Sequence, residues 1–184
     1  MRFFTPTPLA AALAGGALLF GASVAQAQGT MPEDKSKRPS PPATVKADVH
    51  GTDVTIDYSR PSLKNREAFG DKTPLAPTGE VWRTGANEAT TFTVSKPVKI
   101  EGQALPAGTY GLFTIPGPTE WTIVFNKTAK QWGAFKYDAK EDALRVKVKP
   151  KTLASPVEQF TITADKSGKV ALMWEKTEAD FMVK

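Results

Sequence analysis

The densest group of polar side chains in the sequence lies in the stretch WRTGANE. Arg83 offers a planar guanidinium that matches carboxylates and phosphates, while Asn87 and Glu88 suit hydroxyl groups. Trp82 can stack on the face of a sugar, and Arg60 opens the long loop that precedes this stretch. These five residues predict a site for a small polar, anionic or glycan-like ligand.

The same stretch has a purely structural explanation. Gly85 and Asn87 are residue types that accept a positive φ, so a sharp turn is expected between a strand that ends at Thr84 and the next strand. Arg83 and Glu88 would then face one another across the turn. A salt bridge between them is therefore the alternative to a binding site.

Missing residue types exclude several kinds of catalytic centre. The chain has no cysteine and a single histidine, His50, which excludes disulfides, thiolate nucleophiles, cysteine-based zinc sites and multi-histidine metal centres. No G-x-S-x-G motif accompanies His50, so a serine–histidine–acid triad is not indicated. We predict neither a metal nor a cofactor.

Carboxylates near the polar stretch leave an enzymatic alternative open. Asp57, Glu67, Asp71 and Glu88 could supply the pair of acids that glycoside hydrolysis needs. The acids within residues 138–142 lack the spacing of a calcium loop and indicate the cap of a helical turn instead. A hydrolase or isomerase that uses carboxylate and arginine chemistry is the corresponding hypothesis.

The N-terminus has the three parts of a secretory signal. Arg2 supplies the positive charge, residues 9–20 form an apolar run, and cleavage is predicted after Ala27. The apolar run is shorter than a membrane-spanning helix requires. Cleavage would leave a chain that begins at Gln28, and loss of Arg2 would reduce the net charge from the +5 of the full chain to +4.

Composition divides the chain into a signal sequence (residues 1–27), a flexible proline-rich leader (residues 28–42) and one folded domain (residues 43–184). We predict a periplasmic or secreted protein that does not insert into a membrane after cleavage. A dispersed charge of this size does not indicate nucleic-acid binding.

Along the sequence of the folded domain, apolar and polar residues alternate with a period of two residues. Apolar and polar residues alternate in residues 43–49 and 54–58 on either side of a Gly-Thr-Asp turn, and similar runs follow to the C-terminus. The pattern predicts an all-β fold, a single antiparallel β-sandwich or jelly-roll-like barrel with about ten short strands. Helical turns are expected only at residues 64–69 and 139–143.

Two loops are of particular interest. Residues 60–79 form one long connection, and long loops often carry function. Its apolar residues Leu63, Phe69 and Leu75 predict that it packs against the domain. A second loop contains Trp132, Phe135 and Tyr137, which either close one end of the core or form a binding platform; we predict that they close the core.

Six blocks in one order resemble the bacterial family called domain of unknown function 2911: YSRP (58–61), REAFG (66–70), GEVWRTGANEAT (79–90), LPAGTYGLFTIP (105–116), WTIVFN (121–126) and QWG (131–133). The resemblance runs from about residue 39 to the C-terminus. It implies an exported β-rich domain. It implies no reaction and no catalytic residue.

Three functional hypotheses follow from these observations. The first is a non-catalytic exported protein that binds a small polar, anionic or glycan-like ligand, or an envelope partner, near residues 60–88. The second is the hydrolase or isomerase named above, and the third is a structural envelope protein without a pocket. A cleft that contains Arg60, Arg83 and Glu88 together with a perturbed acid favours the enzyme, and one without such an acid favours binding.

Overall fold

The computed structural model describes Met1 and residues 34–71 and 75–184 of the chain. Apart from Met1, the predicted signal sequence lies outside the described residues, as do residues 28–33 of the predicted leader. In the described part of the chain, no helix is long and apolar enough to cross a membrane.

Twelve strands account for most of the described residues: β1 (Pro42–Val49), β2 (Thr52–Ser59), β3 (Phe69–Gly70), β4 (Ala76–Pro77), β5 (Thr90–Val94), β6 (Val98–Ile100), β7 (Gln103–Leu105), β8 (Gly108–Ile115), β9 (Trp121–Asn126), β10 (Asp142–Val148), β11 (Lys151–Ala164) and β12 (Lys169–Met182). Six of them form an antiparallel sheet in the order β1-β2-β5-β8-β9-β10. The sheet is open, with β1 and β10 as its edges.

The long hairpin β11–β12 forms a second layer over this sheet. Phe181 of β12 packs against Phe92 and Phe125 of the sheet, with ring centroids 6.0 and 5.7 Å away. All three rings are buried. The all-β prediction is confirmed, and of the two architectures considered, the arrangement is that of a sandwich.

Alternation along the strands follows the predicted period. β1 and β2 pair as a hairpin in which Val45 lies opposite Ile56, and the apolar residues Val54 and Ile56 of β2 are buried. This is the local pattern expected for a sheet with one face in the core. The predicted first hairpin is therefore confirmed.

The described residues of the long loop, 60–71 and 75–79, pack against the domain as predicted. Leu63 is buried, and the Phe69 ring lies 4.8 Å from the Trp121 ring. The helical turn predicted at residues 64–69 is absent, because Lys64 and Asn65 adopt left-handed backbone angles with φ of 49° and 61°. The other predicted turn is present as a three-residue 3-10 helix at Ala139–Glu141.

Residues 34–41, here called the strap, contact the domain just before β1. The Ser40 carbonyl accepts a hydrogen bond from Asn87 Nδ2 at 3.0 Å, and the Pro41 carbonyl accepts one from the Arg60 backbone N–H at 2.9 Å. The structure gives this end of the predicted leader more contacts than its composition suggested.

Candidate functional site

A strained turn at residues 83–87 presents the candidate site. Thr84 and Asn87 have φ of 54° and 59°, and Gly85 also has a positive φ. A β-branched residue such as threonine is rarely left-handed, so the surrounding structure must hold it there. The buried Thr84 hydroxyl lies 3.2 Å from Thr114 Oγ1, and the Thr84 carbonyl accepts a 2.6 Å bond from Thr90 Oγ1. The predicted sharp turn is confirmed.

Arg83 projects from this turn without a partner for its charge. Its Nε is buried and has no hydrogen-bond acceptor, and its side chain forms no ion pair within residues 34–71 and 75–184. Burial lowers the pKa of the Arg83 guanidinium because the charged form loses solvation. An unsatisfied buried donor is costly to leave in a native structure, so the group requires an explanation.

The Arg83 side chain lines a pocket of about 250 Å³, which we call the arginine pocket. Arg66 from the long loop lines it too, as do Ser40 of the strap, Asn87 and Trp174. The described residues around this pocket include no carboxylate. Two guanidinium groups beside an apolar floor therefore produce a positive site without an internal counter-ion.

Arg66 is held in position by the backbone of its own loop. Its Nε donates to the Leu63 carbonyl at 3.0 Å and its Nη2 to the Ser62 carbonyl at 3.1 Å. These bonds occupy two of the five N–H donors of the guanidinium. The remaining donors have no acceptor in the described structure, so they are free for a ligand.

The predicted Arg83–Glu88 salt bridge is wrong. Glu88 Oε1 pairs with Lys35 Nζ and Glu88 Oε2 with Arg38 Nη1, each at 2.8 Å. The left-handed residues of the turn direct Arg83 into the arginine pocket, whereas Glu88 meets two cations of the strap. Nothing in the composition of the strap had indicated this contact.

Arg60 and Trp82 support the site rather than line it. The Arg60 guanidinium joins β2 to β11, donating to the Phe160 carbonyl at 3.1 Å and to Thr161 Oγ1 at 2.8 Å. Trp82 is only 3% exposed, so it has no free face for a sugar. Its ring stacks on Trp174 at 5.7 Å and thereby supports the pocket floor.

Of the five residues predicted from the sequence, the structure brings Arg83 and Asn87 together in the arginine pocket, while Glu88 lies beside the strap. Sequence reasoning missed Ser40, Arg66 and Trp174. Arg66 lies in the long loop, which was recognised as unusual, but nothing local relates Ser40 or Trp174 to this turn.

The other carboxylates considered for hydrolysis do not reach this pocket. Asp57 and Glu88 line a separate cavity of about 190 Å³ beside β1, where Glu88 is already paired with Lys35. Asp71 lines a different and larger pocket of about 440 Å³, together with Phe69 and Trp121. Lys151 in that pocket is paired with Asp180, and no buried side-chain atom among its described lining lacks a partner.

Metal ligands are not grouped in the described structure. Within residues 34–71 and 75–184, no three histidine, aspartate or glutamate side chains lie close enough to hold an ion.

The second predicted loop does not close the core as a unit. Trp132 is 56% exposed and Phe135 is 86% exposed, so the prediction is wrong for these two residues. Only Tyr137 packs inward, with its ring 5.1 Å from Phe113. Burial, together with the hydrogen bond to Asp142, raises the pKa of Tyr137 to about 12.

The attachment of the strap to Glu88 should depend on pH. Partial burial opposes ionisation of Glu88, but hydrogen bonds from Lys35, its own backbone and Arg38 prevail and lower its pKa from 4.5 to about 2. A lowered pKa in the folded state means that the stabilisation is present above pH 4.5 and is lost as the pH falls through 2. The strap is therefore attached at neutral pH.

Replacing Glu88 tests this attachment. Because the carboxylate is 39% exposed, solvent screening limits the effect, and Glu88→Gln should lower the free energy of unfolding by about 1 kcal/mol at neutral pH. The difference from wild type should shrink as the pH approaches 2. Urea unfolding across this range measures it, with the exposed Glu80→Gln as a matched control. A difference that stays constant with pH would contradict the assignment.

Comparison with known proteins identifies a family but no individual relative. No curated protein and no solved structure matches the chain. A family model described as a protein of unknown function (DUF2911) matches residues 40–183, which include the strained turn, the long loop and both layers of the sandwich. The chain therefore belongs to the DUF2911 family.

Proposed function

We propose that this chain is an exported protein that binds a small carboxylate- or phosphate-bearing ligand in the arginine pocket. The observation that carries the proposal is the buried Arg83 Nε without an acceptor, in a pocket that Arg66 also lines. An anion would supply both the missing acceptor and the missing counter-charge.

The size and lining of the pocket support a compact ligand. A volume of about 250 Å³ suits an anion the size of phosphate or a short carboxylate. Asn87 and Ser40 offer polar groups for further hydrogen bonds. The lack of a lining carboxylate supports binding over acid–base catalysis, because no described residue in the pocket is suited to act as a general base.

The test compares two arginine variants. Inorganic phosphate, sulfate, acetate and malonate are added to the mature protein, and the melting temperature and binding heat are measured. We expect at least one anion to stabilise the wild type. Arg83→Met should abolish that response while leaving the stability without anion unchanged or higher, because an unpaired charge has been removed from a partly buried position.

Arg60→Met is the matched control. It also removes a guanidinium, but that group bonds the Phe160 carbonyl and Thr161 Oγ1. We expect a loss of about 1–3 kcal/mol in stability with the anion response retained. Two results would overturn the proposal: no response of the wild type to any anion, or an Arg83→Met variant that still responds.

A further inference from the structure

The connection between β9 and β10, residues 127–141, is a closed loop that presents two aromatic side chains to solvent; we call it the aromatic loop. Its ends are joined by a 2.9 Å bond from the Lys127 N–H to the Glu141 carbonyl. Asn126 Nδ2 adds bonds to the Asp138 carbonyl and to Asp142 Oδ1 at 2.9 and 2.8 Å. Loops closed in this way are compact, and they frequently have functions of their own.

The aromatic loop is also fixed to the body of the domain. The Gly133 N–H donates to the Asn87 carbonyl and the Ala89 N–H to the Gln131 carbonyl, both at 2.9 Å. Arg38 of the strap lies 5.7 Å from the centre of the Trp132 ring. The backbone on either side of Trp132 is therefore held in place, and the exposure of its side chain is a fixed feature of the fold.

Exposure of large apolar side chains is concentrated in this loop. Apart from Met1, Trp132 and Phe135 are the only large hydrophobic residues that the structure shows as exposed, among all those it describes. Isolated exposed apolar residues are common. Two exposed aromatic residues three positions apart in one loop, with no other exposed large apolar side chain in the described domain apart from Met1, indicate contact with an apolar phase.

Basic residues flank the two aromatic ones in the sequence of the loop. Four exposed lysines lie in the loop, and none forms an ion pair in the part of the chain that the structure describes: Lys127, Lys130, Lys136 and Lys140. Two acids, Asp138 and Glu141, accompany them, and the Asp138 carboxylate accepts the Lys140 backbone N–H as a helix cap. Four lysines against two acids therefore give the loop an excess of positive charge.

We propose that the aromatic loop docks this protein on an anionic lipid surface. Tryptophan and phenylalanine prefer the boundary between head groups and acyl chains, and lysines beside them are attracted to negatively charged lipids. The charge on the loop selects a lipid surface over an apolar groove of a protein partner. Contact of this kind lies on the membrane and needs no spanning segment.

The protein contains its own reporter for this contact. Trp82, Trp121 and Trp174 are buried, so Trp132 is the tryptophan exposed to solvent. Vesicles of phosphatidylglycerol and phosphatidylcholine in equal amounts should bind the mature protein in co-sedimentation and shift the Trp132 emission to shorter wavelength. Vesicles of phosphatidylcholine alone should bind it weakly, because they do not attract the lysines.

Variants separate the apolar contribution from the charge contribution. Phe135→Ser and the double variant Lys130→Glu, Lys136→Glu should each weaken vesicle binding by about tenfold or more. The double variant Lys166→Glu, Lys176→Glu makes the same change in net charge with exposed lysines of the β11–β12 layer, and it should bind like wild type. Circular dichroism and melting curves check that each variant is folded.

Several outcomes would overturn the proposal. Absence of binding to the anionic vesicles would do so, as would binding that Phe135→Ser leaves intact, since the contact would then be electrostatic adsorption only. An equal loss in both double variants would show that net charge, not the loop, determines binding. Sedimentation that shows self-association lost in Phe135→Ser would assign the two exposed aromatic residues to contact with a second copy of the chain.

Discussion

Trp174→Ala is expected to lower the free energy of unfolding by about 3–5 kcal/mol, the range for truncation of a buried large aromatic residue. Trp174 is 1% exposed. Its ring stacks on Trp82 at 5.7 Å and makes edge contacts with Phe69 and Phe160, each at 5.9 Å. The truncation would leave a cavity between the long loop and the β11–β12 layer, which urea unfolding would detect.

Trp132→Ala provides the matched control for this substitution. It removes the same type of side chain from an exposed position, where the ring contact that is lost is the one with Arg38. We expect a cost below about 1 kcal/mol. Equal costs for the two variants would mean that the aromatic cluster around Trp174 does not stabilise the domain.

Gly168→Ala is the second substitution with a large expected effect. A Cβ at this position would lie 1.9 Å from the Val183 carbonyl oxygen, and the backbone has φ of +90°. The Val183 N–H donates to the Gly168 carbonyl at 2.8 Å, so the segment cannot move without losing that bond. Steric overlap and backbone strain together should reduce stability by about 3–5 kcal/mol.

Gly102→Ala separates strain from overlap. Gly102 has a similar φ of +81°, but a Cβ there meets no atom within 4 Å. Its alanine variant should therefore be destabilised only by the backbone strain, about 1–2 kcal/mol. Thermal unfolding of both variants gives the comparison, and similar melting temperatures would refute the close approach of Val183 to Gly168.

The strands could be predicted from the sequence because the alternation of apolar and polar residues that produces them is a local property of the chain. Val54, Ile56 and Tyr58 alternate with polar residues, and all three side chains are buried. The helical turn predicted at residues 64–69 failed because distant groups determine that backbone. Glu158 Oε1 accepts the Lys64 N–H at 2.9 Å, and Glu175 Oε2 accepts the Ala68 N–H at 3.1 Å.

The candidate site was predictable only where one short segment forms it. Arg83 and Asn87 share a turn whose glycine and asparagine marked it in the sequence. Trp174 arrives from β12 and Ser40 from the strap, and no spacing rule relates such distant positions. Glu88 was assigned to the wrong partner for the same reason, because its cations, Lys35 and Arg38, lie far away in the sequence.

The order of strands in the main sheet has a consequence for how the chain folds. Because β1, β2, β5, β8, β9 and β10 are neighbours in the same order as they occur in the chain, each pairing can form soon after its second strand is synthesised. The β11–β12 hairpin that covers Phe92 and Phe125 comes last. A nascent chain that ends before Lys151 would therefore present a formed sheet with an uncovered apolar face, the kind of intermediate that aggregates or is bound by chaperones.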